Sequence, residues 1–439
     1  MVWHLLKYWN VFILAAFYKR IQIKNLKNLQ VKGPVIIAMN HPNAFTDPIG
    51  LTYVTYPLRL KYLARGDAFK PGLLAWLLEQ IGIVPIYRIQ DGGLEGLKKN
   101  EKAYERVNHL LKKNFKIIVF AEGICVQERR LRPLKKGVAR MVFGAYETLP
   151  HNQLTVVPIG VNYSKPNKFR STIFYNVGEP IYVKDFEAVY KENPAKANNL
   201  FLQALEPKMK ELITHINDKN YDQAVYFMEA LCKRNWLNAQ GLDHKNLSHD
   251  FQVSHQITTK VNEAVENKTE IVDEFMRAGS DYFKELDRQG LKDWLVDPKQ
   301  NASVTHVNLA VRCFFLALGL PIYLLGLTGN YLPYRLAIYL TKKILKKNVE
   351  FYSSIFIGLA MALFLINYVA WFLIVYVLSP TVFYPLAVCT AFALSAWFSL
   401  QFHPYILKAR GMRTILKNKH LGERLSIQRE GLMKLVNQF

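Results

Sequence analysis

Two uninterrupted apolar runs, Ile355–Leu378 and Val382–Phe402, constrain the fold of this chain more than any other feature. Neither carries a charged residue, and each exceeds the roughly 20 residues that a helix needs to cross a bilayer core. With the turn Ser379-Pro380-Thr381 between them they predict a transmembrane hairpin, because only a helix can satisfy its own backbone groups in hydrocarbon. Lys342, Lys343, Lys346 and Lys347 precede the hairpin and Lys408, Arg410 and Arg413 follow it, which places both ends on the cytoplasmic face. A third run, Leu309–Leu327, contains Arg312 and Pro321. A crossing there would put the upstream chain opposite the lysine cluster, so either the segment lies in the interface or re-enters kinked, or the charge rule is overridden; the first is the expectation. The expectation is a membrane region over 306–405 and a basic cytoplasmic tail over 406–439.

The first 20 residues are rich in Trp, Leu and Phe, but their uncharged part, Tyr8–Tyr18, is too short to span and has no small-residue cleavage pattern. An interfacial helix over 1–24 is expected, the alternative being a helix docked on the core. The charge balance fits that setting. Lys and Arg total 57 against 34 Asp and Glu, a net +23, and 13% of residues are aromatic. This balance suits nucleic acid, an anionic bilayer or phosphate-bearing substrates, and the apolar runs decide for the membrane and against nucleic acid. Cys125, Cys232, Cys313 and Cys389 lie far apart, which argues against both a zinc site and a disulfide framework. His244, His249 and His255 are loosely spaced in a polar stretch, and no metal site is expected there. DGGLEG at 91–96 lacks the strand-to-helix setting of a dinucleotide loop, and the sequence holds no P-loop string.

Between residues 25 and 194 strand-like and helix-like segments alternate. Strands are predicted at Val35–Met39, Leu60–Leu63, Ile83–Tyr87, Ile117–Phe120, Thr155–Val161 and Thr172–Val177, and helices at Pro71–Ile81, Gly96–Lys113 and Val138–Glu147. The alternation argues an α/β domain with a mixed, mostly parallel sheet flanked by helices. Residues 195–305 turn to long polar helical patterns that pack on this domain or form a helical region of their own, with no catalytic constellation among them.

One turn in the α/β part carries chemistry. The apolar run Pro34–Met39 meets Asn40-His41-Pro42-Asn43, so a strand ends there, and Pro42 keeps His41 extended at its tip. Open sheets keep their chemistry at strand tips. Asp47, six residues on, is close enough to hold the imidazole in one tautomer, with His41 as a base and Asp47 as its orienter; a surface Asx-type turn is the plainer alternative. A second feature follows the strand KIIVF. Glu122-Gly123 is succeeded by Arg129, Arg130, Arg132, Lys135 and Lys136, leading into a helix near Gly137. Cations beside a helix N-terminus oppose its dipole unless an anion lies between them, which is the pattern of a phosphate site as well as of a solvated basic loop. Arg88, after the strand IVPIY, is a further phosphate candidate because a guanidinium grips two oxygens at once.

NHPNAFTDP resembles the first block of the glycerolipid acyltransferase family, in its HxNxFxD variant with five residues rather than four between His41 and Asp47. The later blocks are similar too: GIVPIYR over Gly82–Arg88, FAEG over Phe120–Gly123 followed by LRPLKKG over Leu131–Gly137, and VVPIGVNY over Val156–Tyr163. Ala121 stands where the family usually has proline, and Ile124-Cys125 where Thr-Arg is common. The resemblance implies transfer of a fatty acyl group from an acyl-CoA or acyl-carrier-protein thioester, itself a substrate, with no cofactor. The acceptor would be a hydroxyl of glycerol 3-phosphate or lysophosphatidic acid in phospholipid biosynthesis, at a membrane whose lipids are partners. It implies His41 and Asp47 as the catalytic pair and Arg88, Glu122 and Gly123, supported by Arg65, Lys135 and Lys136, as the acceptor site. Another lysolipid or aminolipid acceptor, or a non-catalytic membrane scaffold, is the alternative.

Overall fold

The structure, a computed structural model, describes residues 14–66, 72, 83–86, 103–150, 153–298, 301–345 and 348–439. The predicted helix at 71–81, the start of that at 96–113, and Arg88 lie outside the described residues. The chain divides into two compact units, the first made of residues 1–215, 243–255 and 347–354, the second of the remainder.

The first unit is built on an eight-stranded sheet. In chain order the strands are β1 (Arg20–Lys24), β2 (Val35–Met39), β3 (Leu60–Arg65), β4 (Ile83–Ile86), β5 (Lys116–Phe120), β6 (Thr155–Tyr163), β7 (Thr172–Val177) and β8 (Ile181–Tyr182). Their spatial order is β1-β7-β6-β2-β5-β3-β4, with β8 also on β6. Pairing is parallel from β4 across to β6 and again between β1 and β7; β7 and β8 run antiparallel to β6. The sheet is therefore mixed and mostly parallel, as the alternating pattern predicts. Strand β2 sits between β5 and β6 and is buried at all five positions, which is why its sequence is continuously apolar rather than alternating. The helix Lys136–Thr148 covers one face through Val138, Val142, Phe143 and Ala145.

Two boundaries differ from the sequence expectation. Residues 20–24 are not part of an interfacial helix but form β1, in register with β7 from Arg20 opposite Thr172 to Lys24 opposite Asn176. Just before it Leu14, Phe17 and Tyr18 are buried, with Phe17 edge-on to Phe169, so this aromatic stretch docks on the core. At the other end the helix Pro194–Glu211 belongs to the same core: Ala197, Phe201, Leu205 and Met209 recur every four residues and are all buried. Gly160 lets the chain after this helix approach β6, since a Cβ there would collide with the Leu212 carbonyl.

The second unit holds the helices Asp222–Ala239, Thr269–Arg288 and Lys419–Val436, two long apolar helices and, from residue 355 on, a third whose first residues belong to the first unit. His306–Ile344, Val349–Leu378 and Phe383–Lys417 are each long and apolar enough to cross a membrane. Residues 309–327 lie within the continuous 39-residue helix His306–Ile344, which runs through Pro321 and Pro333. Proline 333 leaves the Gly329 carbonyl without its helical donor, and Asn367 Nδ2 supplies one at 2.9 Å. This helix lies antiparallel to Phe383–Lys417, with Gly319 against Phe402, Gly326 against Ser395 and Ser399, and Gly329 against Phe392. Glycines at a helix contact bring the backbones close where lipid offers no hydrophobic drive.

Residues 406–439 hold the end of the helix Phe383–Lys417 and the helix Lys419–Val436. Helix Lys419–Val436 buries Leu421, Leu425, Leu432 and Val436 along one face, together with Arg429. The Arg429 guanidinium reaches Asp293 at 3.0 Å, Asp297 at 3.1 Å and the Leu231 carbonyl at 3.1 Å, and Tyr282 donates to Asp293 at 2.8 Å. A cation buried this way is held by charge pairing on every side that burial strips of water.

Candidate active site

The site is built where β2 stops. Asn40 prolongs the ladder with its side chain, accepting from the Val161 N–H at 2.7 Å and donating to the Val161 carbonyl at 3.1 Å. The chain then turns through Asn43 and Ala44, whose φ is +28°, into the helix Thr46–Val54. Asp47 lies in the first turn of that helix, where the dipole favours a carboxylate.

His41 and Asp47 meet: imidazole Nδ1 lies 2.8 Å from Asp47 Oδ2. That oxygen also accepts the Asn43 N–H at 2.8 Å, and Oδ1 accepts the Tyr163 hydroxyl at 2.6 Å. Tyr175 donates to the Asp47 backbone carbonyl at 2.8 Å. Asp47 has no exposed surface, and three donors at its carboxylate replace the water it has lost. With Nδ1–H directed at the carboxylate, Nε2 is the nitrogen left to accept a proton. Phe120, the last residue of β5, lies flat on the imidazole with ring centroids 3.5 Å apart.

Glu122 joins this centre through the backbone. Its carboxylate accepts the His41 N–H at 3.3 Å and the Arg132 N–H at 3.1 Å, tying the turn after β2 to the basic loop. Burial pushes its carboxyl up to about 7, against the two backbone donors that pull it down. Gly123 takes a φ of +66°, and a Cβ there would press on the Lys135 side chain at 3.0 Å. Lys135 N–H in turn bonds the Ala121 carbonyl, so the loop doubles back on itself. Cys125 Sγ accepts the Ala44 N–H at 3.1 Å, and burial pushes its thiol up.

The five cations of this loop do not act together. Arg132 grips Glu128 through two nitrogens at 2.7 and 3.0 Å, Arg130 is 3.5 Å from the same carboxylate, and Arg129 donates to Thr214. The loop is further pinned by His215, whose Nδ1 accepts the Leu131 N–H at 2.9 Å and whose ring is lowered to about 4 by burial. Lys135 and Lys136 stand exposed at the start of the helix Lys136–Thr148. The Arg65 backbone closes β3 opposite Ile86; its side chain and all of Arg88 lie outside the described residues. The structure thus brings His41, Asp47, Glu122 and Gly123 together with Lys135. Tyr163, Tyr175, Asn43 and Phe120 were missed as site residues by spacing alone, because sheet register rather than sequence proximity delivers the two tyrosines and the phenylalanine.

Residues 20–162 match the family model described as Acyltransferase. Glycerol-3-phosphate O-acyltransferases 1 and 2 of Saccharomyces cerevisiae are 36% identical over 110 residues and 32% over 113, about a quarter of this chain in each case. The matches span about a seventh of those relatives' own length, 14% and 15%. The chloroplastic 1-acyl-sn-glycerol-3-phosphate acyltransferase BAT2 of Brassica napus is 24% identical over 153 residues, 35% of this chain and 40% of that protein. All these stretches are short against the whole chain, but the model's span runs from β1 to the last turns of β6 and includes the His41–Asp47 pair. Residues 20–162 are therefore similar to the acyltransferase family, and the relatives matched here are named as glycerol-3-phosphate and 1-acyl-sn-glycerol-3-phosphate acyltransferases.

Proposed function

We propose that this protein is a membrane-bound O-acyltransferase that moves a fatty acyl group from an acyl thioester to a hydroxyl of glycerol 3-phosphate or lysophosphatidic acid. The observation that carries the proposal is the 2.8 Å bond between His41 Nδ1 and a wholly buried, fully hydrogen-bonded Asp47. Such a pair orients Nε2 for proton abstraction and stabilises the imidazolium that results.

In the reaction His41 Nε2 takes the proton of the acceptor hydroxyl as its oxygen attacks the thioester carbonyl. A tetrahedral oxyanion forms, then collapses by breaking the carbon–sulfur bond, and the departing thiolate takes the proton back from the imidazolium. The acyl donor, acyl-CoA or acyl-carrier protein, is a substrate, and the base is an amino acid, so the steps call on no resident cofactor. Lys135 and Lys136 at a helix start are suited to the acceptor's phosphate, with Gly123 allowing close approach and Arg88 and Arg65 as further cationic partners. Glu122 spends both oxygens on backbone N–H groups, so its part is to hold the turn that presents His41.

The test is acyl transfer from acyl-CoA to glycerol 3-phosphate and to lysophosphatidic acid in membranes containing the full chain. His41→Ala should lower the rate about 10²–10⁴-fold with folding intact. Retained activity in a folded variant removes His41 from the mechanism.

A further inference from the structure

The Asp47 carboxylate receives a donor that the acyl-transfer scheme does not use. Strand β6 runs beyond the tip of β2: Ile159 is the partner of Met39, and four residues further on Tyr163 closes the strand. The overshoot carries the Tyr163 hydroxyl to 2.6 Å from Asp47 Oδ1, the oxygen that His41 does not touch. A bond this short to a carboxylate is charge-assisted and among the stronger kinds a side chain can make. Burial, then the Asp47 charge beside it, raises the Tyr163 phenol well above its ordinary value, so it stays protonated and remains a donor.

We propose that Tyr163 is a positioning residue for the dyad, locking the Asp47 carboxylate in plane with the imidazole and drawing off part of its charge, so that His41 stays neutral and ready to accept a proton near neutral pH. This rests on His41 acting as the base. The physical sense is simple. A carboxylate that shares its charge with a phenol stabilises the imidazolium less, which keeps the imidazole from being protonated before the acceptor arrives. The same bond stops Asp47 from rotating, since Asn43 N–H and His41 hold one oxygen and Tyr163 the other.

Other groups face the pair. Tyr18 and Tyr175 approach Asp47 from the segment before β1 and from β7, both raised by burial and by the Asp47 charge. Cys125 and Glu122 face it from the loop after β5, and Glu350 acts on Cys125 from the segment 347–354. Among these Glu122, raised to about 7, shapes a pH profile near neutrality on its own account, so its contribution has to be separated.

The experiment is the pH profile of kcat/KM for acyl transfer by the full chain in membranes, in wild type, Tyr163→Phe, Tyr175→Phe, Glu122→Gln and His41→Ala. Tyr163→Phe keeps the ring and removes only the hydroxyl. It should move the acid limb upward by about half to one pH unit and lower the plateau about tenfold. Tyr175 is fully buried and donates to the neutral Asp47 backbone carbonyl rather than to the carboxylate, so its loss should leave the limb in place. A limb that moves in Tyr163→Phe when Glu122 is already Gln assigns the shift to His41. An unmoved limb, with or without a lower plateau, overturns the proposal. If Tyr163→Phe does not fold, Tyr163→3-fluorotyrosine, which strengthens the donor, should move the limb downward, and an unmoved limb there overturns it as well. Activity retained by His41→Ala is a separate failure, of the base itself.

Discussion

Phe120 lies face to face with His41, ring centroids 3.5 Å apart and planes 14° from parallel. The two residues end neighbouring parallel strands: Phe120 is the partner of Met39, and His41 follows two residues later. The phenyl face shields one side of the imidazole from water and leaves its edge, with Nε2, uncovered. When the ring gains a proton, the same face interacts with the cation. Phe120→Leu should therefore lower kcat about 2–10-fold, the range set by roughly 0.5–1.5 kcal/mol for an aromatic pair, with little change in KM. Steady-state kinetics of the two forms settles it, and an unchanged kcat would show the stacking to be packing alone.

Glu122 makes stability depend on pH. Its folded value, about 7, lies above the ordinary 4.5 of an exposed chain, so folding favours the protonated carboxyl. The stabilisation is complete below pH 4.5 and is lost as pH rises through about 7. In Glu122→Gln this dependence disappears, and one of the two backbone N–H groups loses its acceptor. The difference in Tm between wild type and variant should thus favour wild type most at acid pH and shrink towards about pH 8. A constant difference across that range would mean that Glu122 ionises normally.

Arg429 holds two buried carboxylates at once, Asp293 and Asp297. Arg429→Met leaves both charges without their counter-ion and should destabilise the protein by about 3–5 kcal/mol. Adding Asp293→Asn and Asp297→Asn to that variant removes the stranded charge and should recover much of the loss, because a buried ion triad is costly mainly when it is incomplete. Thermal unfolding in detergent of the single and combined variants measures both effects. Equal Tm values for wild type and Arg429→Met would show the cluster to be open to water.

The central strands are legible in the sequence because each is a short apolar run rich in β-branched residues and bounded by turn residues, as by Asn40 after β2 and Asn114 before β5. The dyad is legible for the same reason: Pro42 ends the strand, and Asp47 lies within one turn of chain. Strand β1 is not, since RIQIK gains its meaning only from β7, whose sequence lies far along the chain, and the aromatic residues before it read equally well as a membrane anchor. Arg130 and Arg132 look like free cations until Glu128, in the same loop, is seen to take them. In the same way Lys419, His420 and Arg424 give the final helix the look of a solvated tail, while Leu421, Leu425, Leu432 and Val436, at helical spacing, mark the face that packs. Tyr163 closes the VVPIGVNY block, but nothing in that block says what its hydroxyl meets, which depends on how far β6 outruns β2.

The Arg429 cluster also restricts how the polypeptide threads the bilayer. Asp293 and Asp297 come before His306 and Arg429 comes after Lys417, while Lys408 rests over Trp294 with its nitrogen 4.4 Å from the ring centroid. The backbone thus enters the three apolar helices and leaves them on one and the same face. A path that begins and ends on one side of a sheet of lipid pierces it an even number of times, so three passages are one too many or one too few. However long and greasy each helix is, they do not all traverse.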